Sequence, residues 1–175
     1  MGKLTTPAPG KLIIGFIFKD EGLLIKTQEI LRRRFGKIDY ESGVIPFTYT
    51  DYYEKEIGSD LKRKFISFQK LILSERLAAI KNLTNKIETR FSQRNLRKIN
   101  IDPGYLTMAK LVLASTKDYN HRIYLNKNIF AEITLFYQDK NFHPREWTYP
   151  DYRSPEYIRI FLQIRELYAQ QIKKI

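Results

Sequence analysis

The chain has 175 residues, a net charge of +12 and no cysteine. Lack of cysteine excludes disulfides, cysteine-held zinc, iron–sulfur clusters and a thiol nucleophile, and fits a reducing cytoplasm. With two histidines, a multi-histidine metal site is excluded as well.

A hydrophobic fraction of 43%, with 12 tyrosines and 11 phenylalanines, implies one packed domain. Residues 1–10 read as a flexible, Pro- and Thr-bearing segment without a signal-peptide pattern. No run approaches the roughly 20 apolar residues of a membrane span, so no membrane partner is expected.

Lys11-Leu-Ile-Ile-Gly-Phe-Ile-Phe18 is continuously apolar, as a strand buried on both faces would be. Asp20 and Glu21 open a helix that runs to Arg34 and stops at Gly36. Residues 38–47 predict a second strand, and residues 48–58 a long ordered loop. Residues 61–72 keep helical spacing yet lean to a strand, because a helix capped by Ser74 follows. After residue 99 a strand ends in a turn centred on Pro103-Gly104. Strands follow at 110–115, 122–125 and 129–137, the last two forming a hairpin through Asn126-Lys127-Asn128. Residues 143–153 read as an aromatic loop, and Ser154-Pro155-Glu156 starts a final helix. The whole predicts an α+β single domain with a mixed or mostly antiparallel sheet of about five or six strands. Its core would be a split β-α-β (ferredoxin-like) layout with an added hairpin and a C-terminal helix.

The charge is uneven. Residues 61–98 hold eleven basic side chains against Glu75 and Glu88, a net +9 of the total +12. Such a stretch could bind RNA or another polyanion, or could be a solvated surface.

Four polar clusters could carry chemistry. Asp51, Tyr52 and Glu54 lie in an acidic, aromatic loop, where Asp51 and Glu54 could hold a divalent cation or serve as acid and base. Lys81, Asn85 and Glu88 share one helix face, suited to phosphate or to a simple surface ion pair. Asn100 and Asp102 follow a strand, while Lys117, Asp118, His121 and Arg122 lie between two strands. There His121 could transfer a proton and Arg122 grip a phosphate. Glu132, between Phe130 and Thr134 on one strand face, meets solvent or lines a pocket with Arg122. Tyr149 and His143 would belong to a loop able to cover it. The catalytic candidates are therefore His121, Asp102, Glu132 and Asp118, with the other residues as ligand contacts. A phosphate-binding loop and a G-x-G-x-x-G fingerprint are both absent.

Several stretches carry a family resemblance: Lys11-Leu-Ile-Ile-Gly15, Pro46-Phe-Thr-Tyr-Thr-Asp-Tyr-Tyr-Glu54, Lys81 with Thr84-Asn85, and Asn100-Ile-Asp-Pro-Gly-Tyr105. Thr116-Lys-Asp118, His121-Arg-Ile-Tyr-Leu125, Glu132 and Trp147-Thr-Tyr-Pro-Asp-Tyr152 complete it. On these motifs the sequence resembles a bacterial family known as the domain-of-unknown-function 4416 family, along nearly the whole chain. The resemblance implies no particular activity. The residues themselves point to a pocket for a phosphorylated small molecule, nucleotide or RNA end, with hydrolysis or group transfer as its chemistry. The rival expectation is a non-enzymatic RNA- or ribosome-associated protein using residues 61–98.

Overall fold

The computed structural model describes residues 2–174. Strand β1 (Lys11–Phe18) is buried at every position, which explains its unbroken apolar run. Its even-numbered side chains Leu12, Ile14, Phe16 and Phe18 pack with helices α1 (Glu21–Phe35) and α3 (Leu77–Phe91). On the opposite face Ile13 packs with helix α4 (Pro155–Ile172) through Phe161, Ile164 and Tyr168. Helices thus cover both faces of the sheet. Even Lys11 is fully buried, its amine held by Asp39 and Gln171.

Among the described residues the sheet has nine strands, more than the expected five or six, and every strand pairing is antiparallel. Its main order is β2-β4-β1-β5-β6-β8-β7. Here β2 is Ile38–Glu41, β4 Lys62–Phe68, β5 Ile99–Leu106, β6 Lys110–Ser115, β7 Ile123–Asn126 and β8 Ile129–Gln138. Strand β3 (Ile45–Pro46) pairs with β4, and β9 (Asn141–Pro144) pairs with β8. Helix α1 joins β1 to β2 with β4 between them; α3 joins β4 to β5 with β1 between them. No helix among the described residues is long and apolar enough to cross a membrane.

Local chemistry sets the boundaries. The Asp20 side chain caps α1, accepting from the Leu23 amide at 3.1 Å. Gly36 closes the helix at φ +92°. Ser154 caps α4 by accepting from the Tyr157 amide at 3.2 Å. Lys127-Asn128 and Asp139-Lys140 each hold positive φ, as tight two-residue hairpin turns require. The second of these turns creates β9, which takes the place of the expected start of the aromatic loop.

Other boundaries differ from expectation. Residues 38–47 divide into two short strands, because Ser42 takes hydrogen bonds with the β4 backbone between them. The expected loop at 48–58 contains a one-turn helix, α2 (Glu54–Ile57). Residues 62–68 are indeed a strand. Ser74 caps no helix; it begins a 3-10 turn (Ser74–Arg76) that leads into α3.

The largest change concerns Pro103-Gly104, which lies inside β5 rather than in a turn. Strand β6 pairs with β5 only from Gly104 to Leu106. A Cβ on Gly104 would lie 2.4 Å from the Val112 carbonyl oxygen, so the close β5–β6 approach needs glycine there. Pro103 has no N–H to offer a neighbour. Ahead of it, residues 99–103 pair with β1 on one side and with no strand on the other. The sheet therefore splays open at Pro103.

Candidate functional site

Side chains of α3 fill part of the missing ladder. Glu88 accepts from the Ile101 amide at 2.6 Å, and the Lys81 amine donates to the Ile101 carbonyl at 3.0 Å. Both backbone groups of Ile101 are thereby satisfied where a strand would otherwise supply partners. Burial raises the pKa of Glu88, an effect that Lys81 and the Ile101 amide partly offset. Two members of the predicted Lys81, Asn85, Glu88 row thus face inward, and Asn85 stays half-buried outside the cleft.

The gap opens as a cleft of about 780 Å³. Eight predicted residues line it: Tyr52, Lys81, Asn100, Asp102, Lys117, Arg122, Glu132 and Tyr149. Asp51 and Glu54 line a separate depression with Asp60. Asp118 is exposed and outside both. His121 is not among the residues lining the cleft and meets its wall through Glu132, with Nε2 3.2 Å from Glu132 Oε2 and its ring stacked on Trp147 at 5.1 Å. His143 bonds within the β8–β9 hairpin, to the Gln138 carbonyl. Among the described residues no group of three or more His, Asp or Glu is placed to hold a metal ion.

One wall is a brace built on Glu132. A bulge in β8 opposite Leu111/Val112 interrupts the expected alternation, and Leu135 packs on the α4 side with Phe142. The Ile133 and Thr134 carbonyls accept from Trp147 Nε1 at 3.0 Å and Thr148 Oγ1 at 2.6 Å, tying the 145–150 loop to β8. Glu132 is buried and accepts from Arg122 Nε at 2.8 Å and from the Thr134 hydroxyl at 3.1 Å. Arg122 also donates to the Tyr149 hydroxyl at 2.9 Å and the Lys117 carbonyl at 3.0 Å. Lys117 in turn donates to the Tyr52 hydroxyl at 3.1 Å. Arg122 is committed to holding loops together.

Arg97 is equally committed, gripping Glu56 through two nitrogens and donating to Asn100 Oδ1 at 3.0 Å. Asn100 passes this on, donating to Asp102 Oδ2 at 2.6 Å.

Arg63 is different, and the sequence reading missed it. The Lys62-Arg63-Lys64 run looks like surface, yet strand alternation sends Arg63 inward with Phe65 and Ser67. It is 1% exposed and lines the cleft. Of its five N–H donors, one makes a recorded hydrogen bond, from Nη2 to the Tyr152 hydroxyl at 2.5 Å. Its Nε has no acceptor among the described residues. Carboxylates stand farther off: Asp102 at 3.6 Å and Asp151 at 3.9 Å. The rings of Phe65, Tyr152 and Tyr157 surround the guanidinium within 5.8 Å. Burial raises the pKa of Asp151, and Arg63 pulls it part of the way back. Tyr53, Asp151 and Tyr152, which stood only within longer motifs and not among the candidate contacts, also line the cleft, each from a loop or turn that gave no periodic signal.

The basic stretch disperses. Arg63, Lys81 and Arg97 turn to the cleft, Lys62 and Lys64 pair with Glu21 and Glu41, and Lys70, Arg76, Lys86, Arg90 and Arg94 are exposed.

The architecture defines a single-domain α+β protein built on one antiparallel sheet, with a cleft where that sheet splays. The family model described as Domain of unknown function (DUF4416) matches residues 8–168, and the chain belongs to that family. No curated protein and no solved structure matches the chain.

Proposed function

We propose that the cleft binds a phosphorylated small molecule of roughly nucleotide size, its charged end seated on Arg63 and Lys81. The observation that carries this reading is Arg63: a buried guanidinium with one hydrogen bond for five donors among the described residues. Two carboxylates and three rings balance its charge but leave N–H donors unused, and such a planar fork matches a phosphate or carboxylate bidentately. Lys81 adds a second cation, its amine 3.5 Å from Asp102. A cleft of about 780 Å³ falls in the usual range for small-molecule sites.

Asp102 and Asp151 lie beside the guanidinium, so a phosphate held there meets two carboxylates. Burial raises the pKa of Asp151, so in hydrolysis or group transfer Asp151 would protonate the leaving oxygen and Asp102 take the proton of the attacking water or hydroxyl. A polyanion surface along 61–98 draws less support, because five of its cations are turned inward or paired.

The test is calorimetric titration with inorganic phosphate and glucose 6-phosphate, with glucose as control. Both phosphates bind the wild type, glucose does not, and Arg63→Met and Lys81→Met each weaken binding at least tenfold while circular dichroism shows a folded chain. Equal affinity of folded Arg63→Met and wild type for the phosphates overturns the proposal.

A further inference from the structure

Three tyrosine rings at the mouth of the same cleft, Tyr49, Tyr52 and Tyr149, are 41%, 52% and 49% exposed. Exposed aromatic rings around a charged floor pose the question of what they touch. Two of them have their hydroxyls already engaged: Tyr52 by Lys117 and Tyr149 by Arg122. Those bonds fix the two rings and occupy their polar ends; Lys117 also stands over the Tyr52 ring at 4.8 Å and Tyr53 packs against it at 5.0 Å, so contact with a ligand falls to the remaining exposed ring surface. Ring faces of this kind select flat, π-bearing groups, and nucleobases stack on them whatever their sequence.

Hydroxyls for the polar edges of such a ligand are close by. Ser115 and Thr116 line the cleft, suited to ribose hydroxyls and base N–H groups. The cations divide in the same sense. Arg97 and Arg122 are bound up in protein contacts, whereas Arg63, with Asp102 and Asp151 beside it, keeps its Nε without an acceptor among the described residues. One end of the cleft thus offers N–H donors and the other aromatic rings.

We infer that the ligand is a nucleoside monophosphate unit, its phosphate on Arg63 and Lys81 and its base against the mouth tyrosines. The unit is either a free mononucleotide or the 5′-phosphorylated end of an RNA. This inference rests on the phosphate-binding reading above and adds the base.

Binding is measured by titration with the four 5′-mononucleotides, their nucleosides, ribose 5-phosphate and a 5′-phosphorylated RNA tetranucleotide. Mononucleotides bind at least tenfold more tightly than ribose 5-phosphate, the gain that one stacked base supplies. Tyr52→Leu brings the mononucleotide Kd to that of ribose 5-phosphate, and Tyr52→Phe, which keeps the ring but loses the Lys117 bond, weakens binding less than Tyr52→Leu does. Tighter binding of the tetranucleotide than of mononucleotides assigns the unit to an RNA end; weaker or equal binding assigns it to a free nucleotide. If ribose 5-phosphate binds as tightly as the mononucleotides, the base contact is overturned and the phosphate site stands. If nucleosides bind as tightly as mononucleotides, or no phosphate compound binds at all, the phosphate site falls as well.

Discussion

Glu132 and Arg122 meet at 2.8 Å with side chains only 2% and 6% exposed, and their pairing joins β8 to both loops at the cleft mouth. Arg122 fills three of its nitrogens with protein acceptors, so this pair is framework.

Glu132→Gln keeps the shape but removes the charge beside a buried guanidinium. It is expected to destabilise the fold by about 2 to 3 kcal/mol, the range for losing a charged hydrogen-bond partner. Urea denaturation measures this. Arg122→Lys should fare no better, since an ammonium cannot reach Glu132, Tyr149 and the Lys117 carbonyl with one fork. An unchanged urea midpoint in both variants would show that the brace is not structural.

Gly104→Ala tests the hinge of the sheet. The added methyl would sit 2.4 Å from the Val112 carbonyl oxygen and 2.6 Å from Leu113 Cδ2. A backbone oxygen cannot swing aside as a side chain can, so the loss should be about 2 kcal/mol or more. Gly43, with nothing within 4 Å of its Cβ position, is the control, and Gly43→Ala should be close to neutral. Thermal unfolding of the two variants gives the comparison.

Asp151 gives a pH signature. Burial raises its pKa above the ordinary 3.8, so the folded chain holds this proton more tightly than the unfolded chain does. Its contribution to stability is therefore greatest at low pH and declines as pH rises from about 3.8 through the folded-state value. Asp151→Asn removes that decline. The difference in unfolding free energy between variant and wild type should shift in the variant's favour across this window. A difference independent of pH would mean that Asp151 titrates alike in both states.

Much of the fold was legible because its signals are local. The apolar run Lys11–Phe18, the Asp20 and Ser154 caps and the Lys127-Asn128 turn each act within a few residues, and each stands where expected. Pro103-Gly104 misled because the pair is also a turn signature. Here the proline stands at an unpaired stretch of strand and the glycine at a tight strand crossing. In the site, Asn100 and Asp102 stood out as polar residues at an expected strand end, Glu132 as a carboxylate within an apolar strand and Lys81 as a cation on a helix face. Arg63 was hidden among lysines, since one inward residue in a basic strand shows itself only once its strand has neighbours on both sides. His121 drew attention as a lone histidine, yet its partners Glu132 and Trp147 come from 11 and 26 residues away in sequence.

The missing ladder beyond Pro103 has a mechanical consequence. Arg63 and Asp102 ride on one half-sheet and Glu132 and Ser115 on the other, while β5 and β6 are stitched together at Gly104, Tyr105 and Leu106 alone. Beyond those three residues the halves share the core on α4, which takes in Phe65 from one and Leu135 from the other. A molecule reaching from Arg63 to Ser115 would add, on the cleft side, a cross-link that the backbone ladder does not supply there.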